Sequence, residues 1–83
     1  MYKNKNSDGL NNICGRIIRR LRLAMPKKTS QRLLAYRLQL RGLDLDKNAV
    51  QRIESGERFV TDIELKVIAD TLNVSVEDLL RDE

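Results

Sequence analysis

Histidine is absent from this 83-residue chain, and cysteine occurs once, at Cys14. Those two facts remove most side-chain chemistry before any motif is sought. Without imidazole there is no ordinary general base near neutral pH. A lone thiol makes neither an internal disulfide nor a zinc set. No nucleophile–base pair, metal-ligand cluster or phosphate-cradling glycine loop is found, so the expectation is a protein that is not an enzyme and needs no cofactor or metal. What remains abundant is positive charge, with 16 Lys+Arg against 12 Asp+Glu.

The net +4 understates how unevenly that charge is spread. Residues 1–28 carry eight basic side chains (Lys3, Lys5, Arg16, Arg19, Arg20, Arg22, Lys27, Lys28) and one acid, Asp8. Residues 61–83 carry Lys66 and Arg81 against seven acids. One end therefore attracts polyanions and the other repels them, which makes nucleic acid the leading class of partner. A solvated surface of uneven composition accounts for the same counts more blandly. No apolar run approaches the roughly 20 residues that span a bilayer, and no charged start leads into an apolar block. The expectation is a soluble, cytoplasmic protein without a membrane partner.

These cations need a frame. Apolar residues make up 41% of the chain but only three are aromatic, so the core must be Leu, Ile, Val and Ala. That composition favours an all-α fold over a sheet sandwich. Residues 1–12 show no apolar period and read as a flexible arm. From there Ile13, Ile17, Ile18, Leu21 and Met25 recur at helical spacing, and Pro26 ends the run, predicting a helix over 13–25. Ser30 caps a second helix over 31–41, with Leu34, Ala35 and Leu38 inward. Asp46 caps a third over 47–54, flanked by Leu45 and Val50. Thr61 and Glu64 form a capping box for a fourth over 62–72, and Ser75 caps a fifth over 76–81. Gly42 and Gly56 mark the ends of the second and third helices.

Within this frame several motifs fall in one order. They are Gly15-x-x-Ile18-x-x-Leu21-Arg22, then Ser30-Gln31-x-x-Leu34-Ala35, then Val50-Gln51-Arg52-Ile53-Glu54-Ser55-Gly56-Glu57-Arg58. Ile68-Ala69-x-x-Leu72-Asn73-Val74-Ser75-x-x-x-Leu79-Leu80 follows. Over residues 13–81 the chain resembles the phage-repressor-like helix-turn-helix family, the lambda repressor and Cro type, also called the xenobiotic-response-element family.

The resemblance implies a compact five-helix DNA-binding domain over 13–83, with the third helix in the major groove. Carried over position by position, it implies that Lys47, Asn48, Ala49 and Gln51 read bases. Asn and Gln pair bidentately with adenine, Lys donates to guanine, and the small Ala49 meets a thymine methyl. It implies phosphate contacts from Gln31 at the start of the second helix and from Arg52, Ser55 and Arg58 around the end of the third. It also implies a structural ion pair between Arg22 and Glu54.

One departure stands out. The stretch from Leu34-Ala35 to Glu54 is about five residues longer than the common family pattern. An extra turn of the second helix or an outward loop would absorb it, with Leu40 and Leu43 packing the addition. The functional expectation is a homodimeric, sequence-specific repressor on double-stranded DNA. The alternative is an antitoxin or similar module that binds a partner protein through the acidic C-terminal helices.

Overall fold

The structure, a computed structural model, describes residues 8–81. Five helices follow in order: α1 (Gly15–Leu23), α2 (Gln31–Leu40), α3 (Lys47–Ser55), α4 (Asp62–Leu72) and α5 (Val76–Leu79). No strand occurs among the described residues.

Four of the helix starts are set by side chains that accept the unpaired N–H groups of a first turn. Ser30 Oγ accepts from the Leu33 N–H at 3.0 Å, and Asp46 Oδ1 from the Ala49 N–H at 2.8 Å. Thr61 and Glu64 close a reciprocal box on α4, and Ser75 and Asp78 do the same on α5. Hydrogen bonds from Ser75, backbone first and side chain second, hold the Asp78 carboxyl below its ordinary range.

α1 is shorter than 13–25 at both ends. Its start is fixed at Gly15 because Asn12 Oδ1 accepts the Gly15 N–H at 2.8 Å, which leaves Ile13 outside the helix and 42% exposed. Its end loosens before Pro26, since the residue ahead of a proline is pushed out of helical geometry. α5 is likewise shorter than 76–81. Leu80 bonds back to the Glu77 carbonyl in a tight turn, and its side chain stays exposed.

The expectation of a flexible arm over 1–12 is corrected in part. Residues 1–7 lie outside the described residues. Leu10, Asn11 and Asn12, by contrast, are half-buried and bonded into the body of the domain.

The long connection between α2 and α3 is folded inward. α2 ends at Leu40, and the Gly42 and Leu43 N–H groups return to the Gln39 and Leu38 carbonyls, both at 3.0 Å. This is the paired-bond ending that a left-handed residue permits, and Gly42 supplies it at φ +88°. Gln39 Nε2 then donates to the Leu45 carbonyl at 2.9 Å, tying the linker to the helix it left. Leu45 is buried and Leu43 packs on the core, while Leu40 is 68% exposed and does not pack.

The core gathers Ile18 of α1, Leu34 and Leu38 of α2, Val50 and Ile53 of α3, Ile68 of α4 and Leu79 of α5, each fully buried. Each such side chain stabilises the fold by about 1.5–3 kcal/mol. α3 sits in the middle of this arrangement, packed against both α1 and α2.

Candidate nucleic-acid interface

α3 is amphipathic, with one face turned to the core and the other to solvent. Val50, Ile53 and Glu54 point inward and are buried. Lys47, Asn48, Gln51, Arg52 and Ser55 are exposed. Positions 47, 51 and 55 fall one above another, with 48 and 52 beside them, so the five side chains share one outward face. Ala49 is only half-exposed, because part of it rests on the core.

The inward face is held by polar as well as apolar contacts. Arg22 Nε and Nη2 donate to the two carboxylate oxygens of Glu54 at 2.7 and 2.9 Å, so the ion pair implied by the resemblance is present. The third arm, Arg22 Nη1, donates to the Thr29 carbonyl at 2.9 Å. The Glu54 hydrogen bond raises the Arg22 guanidinium above its ordinary range, outweighing the effect of burial.

Gln31 joins the same network. Its Nε2 donates to Glu54 Oε1 at 3.0 Å, so the residue at the start of α2 is half-buried and oriented by the ion pair. Arg58 lies beyond the end of α3, where Nη1 and Nη2 donate to Glu64 at 2.9 and 3.1 Å. Burial works to raise the Glu64 carboxyl, but the Arg58 hydrogen bonds and the Thr61 N–H outweigh it and hold it below its ordinary range. Ser55 Oγ donates to the Arg52 carbonyl at 3.1 Å and stays exposed.

A second anchor was not visible in the sequence. Asn12 Nδ2 donates to the carbonyls of Ile53 at 3.1 Å and Arg58 at 2.7 Å. Beside it the Asn11 N–H donates to the Gly56 carbonyl at 2.8 Å, and Asn11 Nδ2 to that of Glu57 at 2.7 Å. Together they donate to four carbonyls, that of Ile53 in the last turn of α3 and those of Gly56, Glu57 and Arg58 in the segment after it. An Asn three residues before the helical Gly15 signals a cap, but nothing local announces partners more than 40 residues away.

Two glycines make this junction fit. A Cβ on Gly15 would run into the Ile53 carbonyl, so only glycine lets α1 approach α3 this closely. Gly56 ends α3 at φ +86°, with Leu10 packed over the space a side chain would need. Cys14, next to Gly15, is buried as a small apolar group, and burial pushes its thiol up to about 11.

Exposed cations stand on α1 and α2 beside α3, while Asp44, Asp46 and Glu57 are exposed near its two ends. Arg16, Arg19 and Arg20 project from the outer side of α1, and Lys28 and Arg32 stand at the entry to α2. No family model, curated protein or solved structure matches this chain.

Proposed function

We propose that this chain is a sequence-specific double-stranded-DNA-binding transcriptional regulator of the phage-repressor-like helix-turn-helix type, a repressor acting as a homodimer. One observation carries the reading. α3 offers five hydrogen-bonding side chains on an open face while its opposite face is locked to α1 and α2 through Glu54, Val50 and Ile53. A helix held rigidly on one side and left polar and uncovered on the other suits insertion into a major groove, which is wide enough to admit it.

In this reading Asn48 and Gln51 pair with adenine edges, and Lys47 donates to guanine. The exposed part of Ala49 meets a thymine methyl. Arg52, Ser55 and the start of α2 at Gln31 bond phosphate and set the register. Arg58 contributes less, because Glu64 neutralises it. Two copies related by a two-fold axis would place their α3 helices about 34 Å apart, in successive major grooves.

The test is affinity selection of the purified chain against a random duplex library at near-physiological salt. Enrichment of a two-fold symmetric motif is expected. Salt-sensitive binding without any motif would contradict the reading. It would favour a partner-protein role, with the exposed acids Asp62, Asp70 and Glu77 as docking groups.

A further inference from the structure

Two clefts open along α1, and they share Arg19 and Leu23 as walls. The first, of about 660 Å³, lies where α1 meets the starts of α2 and α3, and Lys28, Arg32 and Lys47 line it. The second, of about 750 Å³, continues past Arg16 to the end of α3, where Ser55 lines it. Sharing these walls, the two form a trough along α1 that meets α3 at its first residue, Lys47, and at its end, Glu54 and Ser55. Eight helical steps separate Lys47 from Ser55, a length of about 12 Å.

The position of the trough matters more than its size. Lys47, Gln51 and Ser55 form a single stripe on α3, and the trough touches that stripe at both ends. It therefore borders the same face that the proposed function sends into the groove. Eight of its lining residues carry a positive charge and two a negative one. The carboxylates among them are Asp8 and Glu54, and Glu54 is already held by Arg22.

A helix lying in a major groove has a phosphate backbone along each edge of that groove. A cationic wall running beside the helix meets whichever backbone lies on its side. Resting on the DNA-binding reading above, we propose that this trough seats the phosphate backbone of one strand of the bound duplex. Arg16 and Arg19 of α1 are its donors. They stand three residues apart on one exposed face of α1, a spacing that points both guanidinium groups the same way. α1 thus becomes a third DNA-contacting element beside α2 and α3. Such contacts add affinity on any sequence and carry no base preference.

The experiment compares the full chain with the double variant Arg16→Gln/Arg19→Gln, on the enriched duplex and on a scrambled one, across a salt series. Each phosphate contact removed should make the slope of log affinity against log salt shallower by about 1, hence by about 2 in the double variant. The change should be equal on both duplexes, with the ratio between them unaltered. Arg16→Lys/Arg19→Lys should keep most of the slope, because the charge stays. Lys66→Gln, on the exposed side of α4, controls for the general loss of a positive charge. A double variant whose slope falls no further per charge than that of Lys66→Gln would overturn the proposal while leaving base reading by α3 intact. A wild-type chain that binds no duplex would overturn both readings at once, before any variant is compared.

Discussion

Arg22 and Glu54 are 32 residues apart in the chain, yet they meet through two parallel hydrogen bonds of 2.7 and 2.9 Å in the interior. The pair ties α1 to the inward face of α3, and its remaining bonds reach Thr29 and Gln31. Three helices and the loop before α2 thus share one polar joint. Removing either partner leaves an uncompensated buried charge. Arg22→Ala or Glu54→Ala should lower unfolding free energy by about 3–5 kcal/mol in urea titrations. Arg22→Met/Glu54→Leu should recover most of that loss, since an apolar pair of similar volume removes both charges together.

The close approach of Gly15 to Ile53 makes a steric prediction. Gly15→Ala forces a methyl group against a backbone carbonyl that cannot rotate away. The usual gain from replacing a helical glycine by alanine, about 1 kcal/mol, should therefore be reversed. A net loss of about 1–3 kcal/mol is expected from chemical denaturation.

Asn12 should matter through α3, although it lies outside every helix. Asn12→Ala removes the acceptor for Gly15 and the donor to Ile53 and Arg58. A loss of about 1–3 kcal/mol is expected, typical of leaving partly buried partners unsatisfied. Hydrogen exchange should quicken most at residues 53–58 and at the start of α1. Uniform quickening across α4 and α5 would instead point to a general loss of stability.

Glu64 sets an acid limb. Its carboxyl is held below its ordinary range in the folded state, so its stabilising effect is fully present above the unfolded value, about 4.3. That effect is lost as pH falls through the lower folded value. Glu64→Gln should cost about 1 kcal/mol at neutral pH, through loss of the charged pair with Arg58 and of a negative charge at the start of α4, while glutamine still accepts the Thr61 N–H. The gap between variant and wild type should close as pH drops below about 4. A gap that stayed constant with pH would show that the charge on Glu64 contributes nothing.

The elements legible from the sequence were those written in local chemistry. Ser30, Asp46, Thr61 and Ser75 announced their helix starts because a cap and its first turn lie within four residues of each other. Leu34, Ala35 and Leu38 followed from helical period alone. The Arg22–Glu54 pair came from resemblance, since nothing local links positions so far apart. What stayed hidden was long-range and polar. The flexible-arm reading missed Leu10, Asn11 and Asn12, because an Asn-rich segment looks solvated until the carbonyls it will satisfy are in place. The Arg58–Glu64 pair is hidden for a related reason: Glu64 reads as the capping-box residue of α4, and it serves both. Leu40 does not pack as the sequence suggests, because the turn at Gly42 buries Leu45, rests Leu43 partly buried against the core and leaves Leu40 on the outer side.

The central claim is that α3 reads bases with Asn48 and Gln51, and affinity measured on two duplexes tests it most directly. Equilibrium binding of wild type, Asn48→Ala and Gln51→Ala should be compared on the enriched sequence and on its scrambled counterpart at fixed salt. Each variant should lose about 1–3 kcal/mol on the enriched duplex and little on the scrambled one. Equal losses on both duplexes, or none on either, would contradict the assignment of α3 as the reading helix.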